Sequence, residues 1–234
     1  MAWVAGVDGC RAGWFRASRE TQTGELHFAV IPSVAALLEA EPRARRIAID
    51  MPIGLPPSGA RACDVEARRR IGPRRSSVFR APIRPALTAA SRAEADQITR
   101  TVENKGVSAQ AWGIYGKVGE LDELLAASPT ARKRVCEVHP EVSFWAWNGR
   151  TPLAFGKKKR EGHAEREALA EAWLGTGIVE RARGETRKKD LADDDILDAI
   201  ATLWTAHRIE AGTSESLPTS PPHDATGLPM RIVF

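Results

Sequence analysis

Three aspartates in this chain have the sequence surroundings expected of a divalent-metal site. Asp8 and Asp50 each end a short apolar segment, and Asp198 lies in an apolar stretch one turn inside a predicted helix that starts near Asp193. The carboxyl ends of strands converge at one edge of a sheet, and clustered carboxylate oxygens are the ligands that Mg²⁺ prefers. The sequence therefore predicts a carboxylate-held metal site and, with it, hydrolysis of phosphodiester bonds.

The two N-terminal aspartates must be positioned by strands. Side chains alternate between the two faces of a strand, so Asp8 shares a face with Gly6, and Asp50 shares a face with Ala48. If the two strands are neighbours, the carboxylates face each other at the strand spacing of about 5 Å. Carboxylates at that distance repel, and they need a cation between them or a raised pKa. Turn formation after a strand is the alternative explanation for each aspartate.

The predicted C-terminal helix offers further carboxylates. Asp195 and Asp194 precede Asp198 by three and four residues, so each can share one face of the helix with it. Capping is the alternative for the residues at the helix start, because acids in a first turn favour the helix dipole. Capping does not account for Asp198, since an unpaired carboxylate among apolar residues is costly.

The elements that carry these residues follow from the hydrophobic pattern and the turn residues. Predicted strands cover residues 3–7, 13–18, 26–31, 46–50 and 134–139, with an edge strand at 230–234. Predicted helices cover residues 34–39, 64–71, 109–125, 140–147, 161–174 and 193–210, a further helix starts at Ser91, and residues 212–224 form a loop. Turns between the first three strands predict an antiparallel meander, and the helical crossover predicts a fourth strand parallel to the first.

The composition favours one domain. The 234 residues are 43% hydrophobic, which is enough for one sizeable core, and we expect a single domain over residues 1–234 with a basic, helical insertion at roughly 56–130. The net charge is +4, and residues 61–84 alone hold eight arginines against two acids. This segment predicts phosphate contacts, with a solvated surface as the alternative.

The cysteines and the lack of long apolar segments indicate a reducing compartment. Cys10, Cys63 and Cys136 are an odd set at wide spacing, which argues against a disulfide framework. A zinc site built on Cys136 and His139 would have to recruit another cysteine from elsewhere in the fold. The first residues lack a signal-peptide pattern, and no segment reaches the roughly 18 apolar residues that span a bilayer. We therefore expect a cytoplasmic protein without membrane contact.

Six ordered motifs resemble those of a known family. They are the segments at residues 6–14, 49–56, 61–64, 77–82, 137–144 and 194–199. They span nearly the whole chain and resemble the family called domain of unknown function 429 (DUF429), which is regarded as a group of predicted nucleases of the ribonuclease H-like superfamily. The resemblance implies an α/β fold of the ribonuclease H-like type, with a five-stranded mixed sheet whose first three strands are antiparallel and whose faces are flanked by helices.

The resemblance also implies roles for the acidic residues. Asp8, Asp50 and Asp198 match by order and context the superfamily residues that hold divalent metal, and Asp195 resembles the extra helix ligand of RuvC-like resolvases. Glu137 follows another predicted strand and joins the site if that strand lies beside the fourth. The predicted metal ligands are Asp8, Asp50, Asp195 and Asp198, and Glu137 completes the predicted catalytic set. His139, Glu141 and Asp194 are candidates for a general base or for support of the ligands.

The predicted activity is that of a divalent-metal-dependent nuclease. Two Mg²⁺ or Mn²⁺ ions bridged by Asp8 would activate water and stabilise the leaving oxygen of an in-line displacement at phosphorus. The predicted phosphate contacts are Arg11, Arg61, Arg68, Arg75 and Lys158. The expected partner is nucleic acid, either RNA or DNA, and a resolvase-like enzyme would be a homodimer. Arg61 and Arg68 are alternatively suited to the phosphate of a single nucleotide.

Two other classes of function are open from the sequence. The turn at residues 6–9 also resembles the first phosphate-binding hairpin of actin-like sugar kinases and ATPases, which share this core fold but duplicate it and carry a second such hairpin. The other alternative is a non-catalytic module that binds nucleic acid or protein. An idle cluster of like charges is destabilising, which argues against that module. Turnover of Mg-ATP would favour the first alternative, and failure to bind Mn²⁺ would favour the second.

Overall fold

Alternating apolar residues in the N-terminal third build most of a five-stranded mixed sheet. The computed structural model describes residues 2–234. The main strands are β1 (Trp3–Cys10), β2 (Gly13–Glu20), β3 (Leu26–Ile31), β4 (Ala44–Ile49) and β5 (Val135–Glu137). They lie in the order β3-β2-β1-β4-β5, with β1, β2 and β3 antiparallel, β4 parallel to β1, and β5 parallel to β4. The predicted mixed sheet, with its antiparallel first three strands, is confirmed.

Helices flank this sheet and fill the connections. They are α1 (Val34–Glu39), α2 (Ala62–Ile71), α3 (Arg92–Glu103), α4 (Ala109–Trp112), α5 (Tyr115–Ala127), α6 (Pro129–Arg134), α7 (Pro140–Trp147), α8 (Arg160–Leu174), α9 (Ile178–Gly184) and α10 (Asp193–Glu210). Short 3₁₀ helices cover Gly72–Ser77 and Arg84–Ala86, and a small second sheet pairs β6 (Ser216–Leu217) with β7 (Ile232–Val233). Among residues 2–234, no helix combines the length and apolarity needed to cross a membrane.

Both faces of the sheet are covered. Along β1 and β4, Val4 and Ala48 pack with residues of α10 on one face, whereas Val7 and Ile49 pack with residues of α1 and α5 on the other. This follows from the two-residue alternation of strands and produces three layers, helix, sheet and helix. The chain between β4 and β5 carries α2 to α6 and both 3₁₀ helices, which places a largely helical segment next to the carboxyl ends of the parallel strands.

Gly6 allows α10 to lie directly against β1. A Cβ atom at this position would stand 2.0 Å from the Leu203 nitrogen and 2.2 Å from the Ala199 carbonyl oxygen. Both are backbone atoms of α10, so they cannot rotate away as a flexible side chain would. The missing side chain therefore determines how closely α10, and with it Asp198, approaches the end of β1.

Gly6→Ala is expected to lower the free energy of unfolding by about 3 kcal/mol or more, because the added methyl group must push α10 off the sheet. Gly116→Ala in α5 is the matched control, since a Cβ atom there meets nothing within 4 Å. The control should be neutral or stabilising by up to about 1 kcal/mol. Urea unfolding monitored by circular dichroism measures both, and equal stability of the two variants would contradict the close approach.

Two predicted elements in the middle of the chain are wrong in extent. The strand predicted at 134–139 is limited to β5, because α6 runs to Arg134 on one side and His139 is already the N-cap of α7 on the other. The helix predicted at 109–125 is divided into α4 and α5 at Gly113 and Ile114. Glycine is a poor helix former, which explains a break at this point.

The C-terminal predictions also need correction. Residues 230–234 contain β7, but this strand pairs with β6, which lies inside the segment predicted to be a loop. A bridge between Val138 and Val233 connects the small sheet to the main one. The helix α9 was not predicted, because it is short and lies between Gly177 and Glu185 without a side-chain cap.

Candidate metal site and active-site cleft

The strand register places Asp8 beside Asp50. Val7 pairs with Ile49 in the parallel ladder, and the backbone N–H of Asp50 donates to the Val7 carbonyl oxygen at 2.9 Å. The two aspartates are the next residues along these neighbouring chains, and alternation directs both toward the face that α10 covers. Asp8 has only 9% of its surface exposed, and its Oδ1 accepts a hydrogen bond from the Gly9 N–H at 2.7 Å.

The helix α10 brings a third carboxylate to the same point. Asp198 precedes Ala199, whose carbonyl faces Gly6, and only 3% of the Asp198 surface is exposed. Burial, followed by the charges of Asp50 and Asp198, raises the pKa of Asp8 well above its ordinary value. Burial raises the pKa of Asp50 to about 6, and the charge of Asp198 adds to this rise. The fold therefore brings together three of the four predicted metal ligands in a mutually repelling group, in which Asp8 and Asp198 are buried and Asp50 is partly buried.

The aspartates at the start of α10 have different roles. Asp195 Oδ2 accepts a hydrogen bond from the Ala192 N–H at 2.8 Å, so this side chain caps the helix as well as facing the cluster. Burial raises the pKa of Asp195, and Asp194 and Asp198 add to that rise. Asp193 pairs with Arg183 at the surface. Capping thus explains part of the acidic run but does not explain Asp198.

Lys157 supplies a positive charge that no sequence pattern indicated. Its Nζ lies 2.5 Å from Asp198 Oδ2 and 3.5 Å from Asp194 Oδ2. Burial disfavours the ammonium form, but attraction to Asp198 and Asp8 outweighs it and raises the pKa of Lys157. In the sequence, Lys157 opens a basic run that is typical of a solvated helix start. Its position in the cluster depends on the path of the loop between α7 and α8, which the local sequence does not reveal.

The loop that carries Lys157 is anchored by side chains of α8 and not by the aspartates of the cluster. The N–H groups of Ala154 and Phe155 donate to Glu165 at 3.2 and 3.0 Å, and Arg166 Nη1 donates to the Phe155 carbonyl oxygen at 3.2 Å. Arg166 Nη2 also pairs with Glu141 Oε1 at 2.5 Å. The approach of Lys157 to the cluster is therefore built into the surrounding structure.

Glu137 and Arg61 are bound to each other in a buried ion network. Arg61 Nη1 and Nη2 donate to the two Glu137 oxygens at 2.7 and 2.6 Å, and Nη2 and Nε donate to the two Asp64 oxygens at 2.6 and 3.1 Å. The remaining N–H of Nη1 points to the Ile53 carbonyl oxygen at 3.2 Å, and the Ile53 N–H donates to Glu137 Oε2 at 2.7 Å. Burial opposes the charge of Arg61, but the two carboxylates hold its pKa well above the ordinary value.

This network gives Arg61 and Glu137 contacts that differ from the roles predicted for them. The guanidinium of Arg61 has a partner for each of its N–H groups, so none is available for a substrate phosphate. The carboxylate of Glu137 accepts hydrogen bonds from Arg61 and from the Ile53 N–H, so its two oxygens are already occupied within the network. Both residues border the cleft, but their geometry is that of a buried ion pair joining β5 to the start of α2.

The three residues predicted to act as a general base or to support the metal ligands each have a different partner. His139 caps α7: its Nδ1 accepts from the Glu141 N–H at 3.2 Å, and its Nε2 lies 3.3 Å from the Ser77 carbonyl oxygen. Both contacts suit a neutral ring with the proton on Nε2, which leaves no ring nitrogen free to take a proton from water. Glu141 is occupied by Arg166, and Asp194 faces Lys157.

The carboxylates of Asp8, Asp50 and Asp198 are less tightly grouped than two other sets of possible metal ligands. Within residues 2–234, the sets of ligand atoms that all lie within 4.8 Å of one another are Cys63–Asp64–Glu137 and Glu167–Glu171–Glu180. Arg61 donates to Asp64 and Glu137 of the first set, and the second lies on α8 and α9 outside the cleft. Asp8, Asp50 and Asp198 do not form a set within this 4.8 Å limit, so their ligand atoms are more widely spread.

The aspartates lie at the floor of a cleft of about 600 Å³. One wall comes from the segment between β4 and β5, including Val78, Phe79 and Ile114, and another comes from the loop at residues 156–158. Both apolar side chains, such as Met51, and basic ones line the cleft. The basic side chains are Arg61, Arg74, Lys117, Lys157 and Lys158.

The predicted phosphate contacts are only partly in this cleft. Lys158 lines it and is exposed, whereas Arg11 is exposed on the turn between β1 and β2, outside the lining. Arg68 donates from Nε and Nη2 to the Val78 carbonyl oxygen at 3.0 and 2.7 Å, and so supports the wall from behind. Arg75 is exposed in the 3₁₀ helix and its neighbour Arg74 lines the cleft instead.

Comparison with known proteins identifies one family. The family model described as "Protein of unknown function (DUF429)" matches residues 6–223, a range that includes Asp8, Asp50 and Asp198. No curated protein and no solved structure matches the chain.

Proposed function

The chain belongs to the DUF429 family, whose description assigns no activity, and we propose that it hydrolyses phosphodiester bonds of nucleic acid with divalent metal ions. The observation that carries this proposal is the surplus of negative charge around the cleft floor. Asp8, Asp50 and Asp198 lie together there, Asp195 adds its charge, and the ammonium group of Lys157 pairs most closely with Asp198. Gathering like charges at low exposure costs stability, and bound cations would restore it.

The donor set suits hard divalent cations. Carboxylate oxygens select Mg²⁺ or Mn²⁺, whereas a site for softer metals would present thiolate or free imidazole groups. Asp8 feels the charges of both Asp50 and Asp198, which supports these three carboxylates as the groups that would hold the ions. When bound, the ions would supply Lewis-acid stabilisation of the charge that develops at phosphorus.

The other cleft residues would position the substrate. Arg74 and Lys158 carry positive charge at the cleft lining, where they can orient a phosphodiester over the floor. The ammonium of Lys157 would give up Asp198 to the metal and then face the phosphate. The apolar wall around Met51 and Val78 would exclude bulk water, which strengthens each of these interactions.

The proposal is tested by cleavage of single-stranded, duplex, hybrid and junction nucleic acids in Mg²⁺, Mn²⁺ or EDTA. We expect cleavage that requires metal and that is lost in Asp198→Asn without loss of the folded state. A clean preparation that binds Mn²⁺ but cleaves none of the substrates would overturn the proposal. Turnover of Mg-ATP under the same conditions would favour the actin-like phosphotransferase class instead.

Lys157→Met is expected to tighten the binding of Mn²⁺ by roughly 10-fold, because the variant removes the ammonium that competes for Asp198. It should also lower the melting temperature of the metal-free protein, since the cluster loses its counter-charge. Calorimetric titration with Mn²⁺ measures the affinity. Lys159→Met, an exposed neighbour that does not line the cleft, is the control and should bind Mn²⁺ as the wild type does. Weaker or unchanged binding by Lys157→Met would rule out competition.

A further inference from the structure

On the basis of the proposed function, we infer that the substrate enters the cleft as a single unpaired nucleotide, at the end of a strand or within a single strand, and not as a duplex. The inference concerns how a phosphate can reach the carboxylates. Asp8 and Asp198 have 9% and 3% of their surfaces exposed, so metal held by them lies at the bottom of the cleft and not on an open surface.

The volume of the cleft suits one nucleotide. At about 600 Å³ it falls in the range of roughly 300–1,000 Å³ that is typical of pockets enclosing one small ligand. A B-form duplex does not fit inside a pocket of this size, since its major groove alone is about 12 Å wide. We therefore expect one nucleotide with its phosphate to enter the cleft and a rigid duplex to remain outside it.

The two walls are also tied together. Arg74 in the segment between β4 and β5 donates from Nη2 to the Ala154 carbonyl oxygen at 3.3 Å, in the loop that carries Lys157. A Cβ atom on Gly156 in the same loop would come within 3.0 Å of Arg74 Nη1, so the walls are in close contact there. This contact bridges one side of the cleft at its surface and adds to the obstruction that a continuous double helix would meet.

Phe79 provides a surface on which one base can stack. Its ring is 44% exposed although it lines the cleft. The backbone on both sides is fixed, because Arg68 binds the Val78 carbonyl oxygen and Arg80 Nη2 donates to the Gly59 carbonyl oxygen at 2.6 Å. An exposed aromatic ring on a fixed backbone beside a phosphate site is the arrangement that stacks an unpaired base without sequence preference.

Other exposed apolar side chains in the described residues lack this placement. They are Val65, Val102 and Phe155, and none of them lines the cleft. Phe155 is 40% exposed and is therefore a matched control of the same residue type. The side chains of Ser76 and Gln110 line the cleft near Phe79 and are exposed, so they can offer hydrogen bonds to the edge of a base.

The first test measures binding without requiring cleavage. In Mn²⁺, the wild type should bind a nucleoside 5′-monophosphate more tightly than ribose 5-phosphate, which carries the phosphate but no base. Phe79→Ala should weaken binding of the nucleotide by roughly 5- to 100-fold, as expected for one stacked base, and should leave ribose 5-phosphate unchanged. Phe155→Ala should behave as wild type. Equal binding of both ligands by the wild type, or an equal loss in both phenylalanine variants, would overturn the role of Phe79.

The second test uses cleavage and separates this inference from the proposed function. Wild type should cleave a single strand at least about 10-fold faster than the same sequence in a blunt duplex, and a duplex with a single-stranded end should be cut at that end. Cleavage of the blunt duplex at the rate of the single strand would overturn the inference while leaving the nuclease proposal intact. Nucleotide binding that depends on Phe79, together with no cleavage of any substrate, would overturn the nuclease proposal and support the single-nucleotide pocket.

Discussion

Asp8→Asn is expected to reduce metal-dependent cleavage by about a thousandfold or more and to raise the melting temperature of the metal-free protein. The loss follows because Asp8 interacts with both Asp50 and Asp198 in the proposed metal site, and removing one of these ligands forfeits several kcal/mol of transition-state stabilisation. The gain in stability follows because burial and repulsion already raise the pKa of this carboxyl. Initial rates in Mn²⁺ and thermal melts in EDTA measure the two effects.

The control for this variant comes from the same acidic set. Asp193→Asn removes a carboxylate at the start of α10 that pairs with Arg183 at the surface and does not line the cleft. It should keep its cleavage rate within about twofold of wild type and should not gain stability. Full activity in Asp8→Asn, or an equal loss in both variants, would remove Asp8 from the proposed metal site.

Arg61→Met is expected to lower the free energy of unfolding by about 3–5 kcal/mol, because the buried carboxylates of Asp64 and Glu137 lose their counter-charge. Both carboxylates accept two hydrogen bonds from Arg61 at 3.1 Å or less. Chemical denaturation of the metal-free protein at neutral pH measures the change. The variant tests whether Arg61 supports the fold, as its contacts indicate, or contacts a substrate phosphate, as the sequence predicted.

Two further variants make that test specific. Arg69→Met changes an exposed arginine of α2 and should alter stability by no more than about 0.5 kcal/mol. Adding Glu137→Gln to Arg61→Met should recover part of the lost stability, because it removes one unpaired buried charge. A stable Arg61→Met protein with weakened nucleotide binding would show instead that Arg61 is a phosphate contact.

Without metal, the melting temperature is expected to fall by several degrees between about pH 5 and pH 8. An acid whose pKa is higher in the folded chain binds more protons there than in the unfolded chain, so its stabilising contribution is lost as the pH rises through the folded pKa. For Asp50 that value is about 6, and for Glu137, where burial outweighs Arg61, it is about 7. Asp50→Asn should flatten the dependence in part, and Mn²⁺ should raise the melting temperature most at the alkaline end. A melting temperature that rises with pH over this range would contradict the repulsion.

The sheet and the grouping of Asp8, Asp50 and Asp198 were predictable because local rules determine them. Alternation put Asp8 and Asp50 on one face of their strands, and the helical crossover made the strands parallel, so their convergence needed no knowledge of distant residues. Asp198 was identified because no local role explains a carboxylate inside an apolar helix. The sequence did not predict that Gly6 is needed for packing, since this need arises from the α10 backbone that approaches it.

The remaining features depend on contacts between distant parts of the chain. Lys157 and Arg61 both belong to basic segments, for which a phosphate contact or a solvated surface is expected. In the structure, Lys157 pairs with Asp198, which is 41 residues away in the sequence, and Arg61 pairs with Glu137, which is 76 residues away. His139 and Glu141 look like catalytic groups beside a strand end, but their partners Ser77 and Arg166 come from two other elements. The sequence shows which residues carry charge, whereas the fold determines which of these residues form ion pairs.

The most direct test of the metal site is the anomalous scattering of Mn²⁺ in crystals of the wild-type protein. We expect Mn²⁺ at about 2–2.5 Å from carboxylate oxygens of Asp8, Asp50 and Asp198, with the ammonium of Lys157 moved away from Asp198. Asp8→Asn crystals grown in the same solution should lose this signal. A wild-type cleft without Mn²⁺, or Mn²⁺ bound only at the surface group on α8 and α9, would contradict the proposed metal site.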